Sequence, residues 1–181
     1  MTFTETKLKG CFVLEPTIFG DDRGYFFESF NSKKFNEGIE KEVGFVQDNQ
    51  SFSDYGVVRA IHYQLGEHAQ AKLVRVLSGK VIDVAVDLRK SSPTFGEHVA
   101  IELSGENKKQ LFIPRGFGHG FSVLSDTAEF FYKCDNYYNK ESEGGIVYND
   151  TTLQIDWKLE PEHIKVSDKD LILQTLNTAR L

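Results

Sequence analysis

The sequence predicts an all-β fold, a sandwich or barrel of many short strands, on three observations. Short apolar or alternating runs recur between turn signals along most of the chain. Aromatics make up 13% of the 181 residues, with 15 Phe and 7 Tyr, and such side chains favour pleated, half-buried strands. Helix signals are confined to two short stretches.

The runs span residues 11–19, 24–30, 45–52, 57–65, 72–77, 81–88, 99–103, 110–113, 119–124 and 128–134. Between two of them, Ser78-Gly79-Lys80 reads as the clearest hairpin turn, because glycine supplies the positive φ of a tight connection. The strand that follows sets Ile82, Val84, Val86 and Leu88 on one face and Asp83, Ala85 and Asp87 on the other. One short helix is expected from a cap at Asn31 or Ser32 through Ile39. A second is expected where Ser167 to Asp170 resembles a capping box opening the apolar-rich stretch 171–176.

No repeat, low-complexity tract or linker divides the chain, and its length suits one core, so 1–181 is read as a single domain. Hydrophobic residues at 40% and charged residues at 27% exclude disordered and collagen-like classes and point to a soluble fold. The formal charge of −6 lacks the footprint of a nucleic-acid binder, and no apolar stretch approaches a membrane span or signal peptide. Cytoplasmic residence is the resulting expectation. With only Cys11 and Cys134 there is no disulfide framework, and both read as buried reduced thiols.

Two segments carry the candidate chemistry. In Gly56 to Gln64, His62 lies in a strand where period 2 predicts a face shared with Val58, Ala60 and Gln64, opposite Arg59 and Tyr63. In Ile113 to Phe121, Pro114 and three glycines leave little bulk around His119, so backbone is expected to approach a ligand there. Pro-x-Gly-x-x-His resembles the second signature of cupin barrels, and Gly56, His62 and Gln64 resemble the first with glutamine in place of a histidine. Metal-binding cupins bring more ligands than His62 and His119, which disfavours a metal here and suggests acid/base chemistry instead.

Further motifs stand in order around these: Gly20 to Glu28, Gln47 to Ser51, Lys72 to Val76, Asp83 to Arg89, Ala128 to Lys133, Tyr137-Tyr138, Glu143 to Gly145 and Ser167 to Asp170. Together they resemble the dTDP-4-dehydrorhamnose 3,5-epimerase family of cupin-type nucleotide-sugar epimerases, from about Gly20 to Asp170. The resemblance implies a cupin-like jelly-roll β-barrel with a few short helices. It also implies cofactor-free epimerisation of dTDP-4-dehydro-6-deoxy-D-glucose to dTDP-4-dehydro-L-rhamnose, in dTDP-L-rhamnose biosynthesis. Inverting a carbon beside a ketone needs a base for the α-proton, a group to hold the enolate and an acid on the opposite face.

By resemblance, His62 is the base and Asp170 the carboxylate that orients it, while Asp170 read from sequence alone serves equally as part of the Ser167 capping box. Tyr132 is similar to the proton donor, and Lys72 to the cation near the C4 oxygen. Asp83, in a strand full of valines, is a supporting candidate that needs a partner if buried. Arg23, Arg59, Gln47 and Asn49 match diphosphate ligands, and Tyr138 matches the residue that stacks on thymine. Glu28, Glu143, His119 and Lys169 match further substrate contacts. In this family the strand holding Arg23 and Glu28 is exchanged between subunits, which implies a homodimer. The departures are Ala60 for a common glycine, Gly118 for a usual alanine, and Cys134 where a small or hydroxylated residue is frequent. Alternatives are an epimerase acting at C5 or C3 alone, a non-catalytic cupin that binds a nucleotide sugar, and a metal-dependent cupin.

Overall fold

The computed structural model describes residues 1–181 and contains thirteen strands and two α-helices. In chain order they are β1 (Thr2–Glu5), β2 (Phe12–Glu15), β3 (Phe19–Asp21), β4 (Gly24–Phe26), α1 (Ser32–Gly38), β5 (Gln47–Asp54), β6 (Val58–Gln64), β7 (Lys72–Ser78) and β8 (Lys80–Asp87). There follow β9 (His98–Ser104), β10 (Gln110–Ile113), β11 (Phe117–Val123), β12 (Thr127–Cys134), β13 (Glu143–Gly145) and α2 (Asp168–Leu171). One antiparallel sheet has six strands in the order β1-β2-β10-β7-β12-β5, and a second has five in the order β13-β6-β11-β8-β9. The ribbon β3-β4 stands apart. Non-sequential neighbours in two facing sheets are the jelly-roll arrangement that the sequence predicts.

Period-2 alternation explains how one chain fills both faces of each sheet. The interior cluster takes Val74 and Val76 from β7, Val81 and Ala85 from β8, Leu111 and Ile113 from β10, and Phe121 and Phe130 from β11 and β12. Outside the five-stranded sheet, Val84 and Val86 pack on the C-terminal segment through Leu153, Trp157 and Leu176. Outside the six-stranded sheet, Leu73 and Phe112 pack on α1 through Phe35 and Ile39. Because every turn of β8 is covered on both sides, Val81 to Asp87 are all buried, two aspartates included. Asp87 is matched there by Arg89 at 2.7 Å and by the hydroxyls of Ser92 and Thr94. Both cysteines are free and buried, and no helix is long and apolar enough to cross a membrane.

Three expectations are corrected. Gly79 does have a positive φ of 79°, yet β7 and β8 do not pair as a hairpin. They lie in different sheets, and Gly79 turns the corner so tightly that a Cβ would stand 2.0 Å from the Thr127 carbonyl oxygen. The run 11–19 is two strands, split at Pro16, which cannot donate to a ladder. Finally α2 stops at Leu171, with Leu171 and Ile172 exposed, because the tail turns to bridge Gln174 with Ile146. The first helix matches its expectation, capped by Asn31 through the Lys34 N–H.

Phe35 is 1% exposed and its ring meets those of Phe3, Phe30, Phe45 and Phe112. Phe35→Ala is therefore expected to cost about 3–5 kcal/mol. Chemical denaturation should show a lower midpoint at an unchanged slope.

Candidate active site

The site begins with an irregularity in β6. His119 faces His62 and Phe121 faces Arg59, so two steps along β11 span three along β6. A bulge of this kind inserts one residue and reverses the side on which the following residues point. Arg59, His62 and Gln64 consequently all face the interior, while Val58, Ala60, Ile61 and Tyr63 join the outer cluster. This corrects the expected alternation, which put His62 with Val58 and Ala60 and opposite Arg59.

His62 is held from outside its own sheet. Its Nε2 lies 3.2 Å from the carboxylate of Asp170, a buried residue 108 positions away. Burial alone would raise the Asp170 carboxyl, but the His62 hydrogen bond and charge, the Ala60 N–H and Lys169 outweigh it and hold it below the ordinary value. Of the two contacts foreseen for Asp170, the one with His62 is present and the capping box is present by half, without the return bond from the Ser167 N–H to the Asp170 side chain. Its N–H bonds to the Ser167 hydroxyl and its carboxylate goes to His62.

The six-stranded sheet supplies the opposite wall. Tyr132 and Lys72 follow the inward parity of Phe130 and Val74, and the Lys72 ammonium lies 5.6 Å from the Tyr132 ring centroid. Burial pushes the Tyr132 phenol up and the Lys72 ammonium down, the latter against the pull of Cys134 and Asp83. No carboxylate stands within ion-pair distance of Lys72, which leaves its charge for the cavity. Asn49 comes from β5 opposite Tyr132, accepts from the Gln47 amide at 3.1 Å, and donates to the Cys134 sulfur at 3.7 Å. Arg59 is steadied by the Ser53 hydroxyl at 3.1 and 3.2 Å.

These walls enclose a cavity of about 330 Å³. Phe121 and Phe130, stacked at 4.3 Å, separate it from the apolar interior. Beside them His119 donates or accepts at Asp83 across 2.6 Å, and burial pushes its imidazole below the ordinary range, against the opposing pull of Asp83. Asp83 thus finds the partner its burial demands. Of the two glycines beside His119, Gly120 lines the cavity and Gly118 does not, and packing requires both. They make room for Ile61, Leu88 and Trp157, since a Cβ at Gly118 would lie 2.4 Å from Ile61 and one at Gly120 3.2 Å from Trp157. Gln64 accepts from the Asn139 N–H and fixes the loop leading to the rim. On that rim Tyr138 donates to Glu143 at 3.0 Å, and Lys169 stands 3.7 Å from the same carboxylate.

Five predicted residues are not in the cavity lining: Asp170 stands behind His62, Gln47 and Lys169 stand beside lining residues, Gln47 accepting from the Tyr138 N–H, and Arg23 and Glu28 are engaged elsewhere. Arg23 pairs with Asp21 on the exposed ribbon, and Glu28 pairs with Lys34 at 2.9 Å. Sequence reasoning missed the Phe121–Phe130 floor and the Ser53 prop. The alternation of β5, which sets Ser53 on the face of Asn49, was the available signal for the latter. No group of three or more His, Cys, Asp or Glu side chains is arranged to hold a metal ion.

An imidazole oriented by a carboxylate on one sheet, with a phenol and an ammonium on the facing sheet, defines a cupin-type barrel of the epimerase class, able to take a proton on one side and return one on the other. Known proteins narrow that class. The family model described as dTDP-4-dehydrorhamnose 3,5-epimerase matches residues 5–178. The chain is 53% identical to the dTDP-4-dehydrorhamnose 3,5-epimerase of Shigella flexneri over 94% of its own length and 93% of the relative's. It superimposes on the crystal structure of that enzyme from Elizabethkingia anophelis with a TM-score of 0.94 and 55% identity, covering 98% and 97% of the two chains. It matches a Legionella pneumophila dTDP-6-deoxy-D-glucose-3,5-epimerase, solved with dTDP-4-keto-L-rhamnose, equally well, with a TM-score of 0.94 and 50% identity, over 98% and 93% of the chains. The chain belongs to the dTDP-4-dehydrorhamnose 3,5-epimerase family.

Proposed function

We propose that this protein is a cofactor-independent 3,5-epimerase that converts dTDP-4-dehydro-6-deoxy-D-glucose to dTDP-4-dehydro-L-rhamnose. The observation that carries the reading is the single cavity that receives His62, held from behind by Asp170, from one side and Tyr132 with Lys72 from the other. Family membership and the ligand of the Legionella relative support the substrate. Cytoplasmic residence, in keeping with a biosynthetic role, completes the reading.

In this mechanism neutral His62 removes the proton from the carbon beside the C4 ketone, and Asp170 stabilises the imidazolium that forms. Lys72, having no carboxylate partner of its own, meets the enolate oxygen and lowers the barrier electrostatically. Tyr132 then returns a proton from the opposite face, its raised pKa keeping it protonated until the carbanion needs it. The same steps act at C5 and at C3. Arg59, Gln47 and Asn49 meet the diphosphate, where an arginine fork suits phosphate geometry. Tyr138 stacks on the thymine, and Glu143, Lys169 and His119 contact the rest of the substrate.

Arg23 and Glu28 fit this scheme only if they serve a second subunit. The ribbon that carries Arg23 shows Phe19, Tyr25 and Phe26 at 60–69% exposure, an apolar surface suited to burial against a partner copy. The working unit in this reading is a homodimer with exchanged N-terminal strands.

NMR in D₂O tests the reaction: label at both C3 and C5 is expected from the purified protein, whereas label at one carbon would mark a mono-epimerase and none would refute the enolate route. His62→Ala is expected to lose exchange and product together. Tyr132→Phe should still wash substrate hydrogen into solvent while product formation falls about 10²–10⁴-fold.

Lys72 sets the alkaline limb. Because burial lowers its pKa, its charge is lost on raising the pH before that of an ordinary lysine, so the alkaline fall of kcat/KM should begin earlier than an exposed lysine would set it. In Lys72→Arg the residual activity should lack that limb.

Mixing Arg23→Ala with His62→Ala protein, followed by subunit exchange, is expected to restore activity that neither variant has alone, since one site of each mixed dimer is intact. Failure of the mixture to exceed its components would return Arg23 to its own subunit.

A further inference from the structure

The rim loop that carries Tyr138 is fastened to the single turn Gly66–His68, which follows β6. Gln70 donates to the Asn136 carbonyl at 2.8 Å, Asn136 donates to the Glu67 carbonyl at 2.8 Å, and the Leu65 N–H donates to the Ser142 carbonyl at 2.9 Å. One further bond joins two side chains, the Asn139 amide and the His68 imidazole, whose Nδ2 and Nε2 lie 3.2 Å apart. Neither residue lines the substrate cavity, whereas Gln64, Gln70 and Tyr138 beside them do.

The chemistry of that bond allows only one direction. The Asn139 Oδ1 accepts from the N–H groups of Glu141 and Ser142 at 2.9 and 3.2 Å, capping the turn Lys140–Ser142, so the amide presents its NH₂ group to His68. His68 therefore accepts at Nε2 and carries its proton on Nδ1, the neutral form. A protonated imidazole has donors at both nitrogens and would set N–H against N–H. Turning the Asn139 amide over would give His68 an acceptor but strip the cap from two backbone N–H groups. Glu67, the one carboxylate within ion-pair distance at 3.9 Å, favours the charged imidazole in competition with the amide. Lys140 and Glu141, the charged neighbours of Asn139 on the facing loop, are exposed. The bond is thus made above the range in which imidazoles titrate and lost as the pH falls through it.

Tyr138 depends on the same turn. Its side chain is 53% exposed and takes its place from the backbone that carries it and from the bond of its hydroxyl to Glu143. Asn139 and Glu143 are the two residues that bound the capped turn. We propose that His68 and Asn139 form a pH-sensitive brace for Tyr138, in which neutral His68 holds the rim in its nucleotide-binding position and protonated His68 gives up that hold. The brace rests on the epimerase reading, where Tyr138 meets the thymine, and His68, which touches no substrate there, is a positioning residue. The other bonds keep the loop attached, so the effect falls on nucleotide affinity rather than on proton transfer at His62.

The test is the affinity of dTDP-glucose, followed by titration calorimetry from about pH 8 to about pH 5.5. This nucleotide sugar has no ketone to react and no group of its own that titrates in that range. At the acid end the unaltered protein is expected to bind about three- to tenfold more weakly than His68→Gln does, while at the alkaline end the two agree, because glutamine offers an acceptor that takes up no proton. Titration of His62 is common to both proteins and cancels in the comparison. Asn139→Asp keeps the cap and adds a carboxylate oxygen that accepts from either form of His68, so its affinity should likewise hold at the acid end. Profiles as steep in both variants as in the unaltered protein would overturn the brace. So would weaker binding by His68→Gln throughout the range with its steepness unchanged, the mark of a contact that is only structural. Failure of dTDP-glucose to bind the unaltered protein at any pH would instead refute the nucleotide-sugar reading on which the brace stands.

Discussion

Two sheets share one interior, and the alternation of each strand decides what enters it. Toward one end that interior takes Val74, Val81, Leu103 and Leu111, and toward the other it takes Lys72, Asp83, His119 and Tyr132. The same strands supply both sets, β7 with Lys72 and Val74, β8 with Asp83 and Ala85, β12 with Tyr132 and Phe130. Strand geometry therefore fixes these polar groups as rigidly as the core, since none of the four can leave the interior without turning its whole strand over. At the site β6 breaks the rule, and its extra residue lets both Arg59 and His62 point inward from positions of unlike parity.

Such an interior carries an electrostatic load that an apolar core would not. Asp83, Asp87 and His119 are buried and Lys72 is largely so, and a buried charge without a partner is costly. The structure resolves the load in two ways. Asp87, far from the cavity chemistry, is matched fully by Arg89, Ser92 and Thr94, while Asp83 keeps one oxygen on His119 and the other unpartnered. Lys72 has no carboxylate within ion-pair distance. Asp87 is thus satisfied within the fold, while Asp83 behind the cavity wall and Lys72 in the wall are left incomplete.

Legibility in the sequence follows the range of the interaction. Runs such as 110–113 and 72–77 coincide with β10 and β7 because alternation and local propensity act within a few residues. The Gly79 turn was legible as a positive φ but not as a change of sheet, since pairing is decided by strands such as β12 and β10 far along the chain. The bulge in β6 left one faint mark, the adjacent apolar pair Ala60-Ile61 between Arg59 and His62, where a regular strand would alternate. The grouping of His62, Asp170, Tyr132 and Lys72 around one site was legible through motifs, and the family resemblance implied their roles. Neither motif nor periodicity carried the depth of His119 or the stacked floor of Phe121 and Phe130, which depend on two sheets meeting.

Asp170 shows why the dyad comes from opposite ends of the chain. A carboxylate within β6 would alternate with His62 or lie in line along the strand, and neither position reaches the ring nitrogen that faces away from substrate. An independent element packed behind the sheet meets that geometry, and a helix of only four residues, capped by Ser167, is enough to aim one side chain. The tail that follows is held to β13 and to the loop after it, so the contacts that close the barrel's outer face also set the direction of the Asp170 carboxylate. Orientation of the His62 imidazole is in this way a property of tertiary packing, and loosening the tail would misalign the ring without touching the cavity it faces.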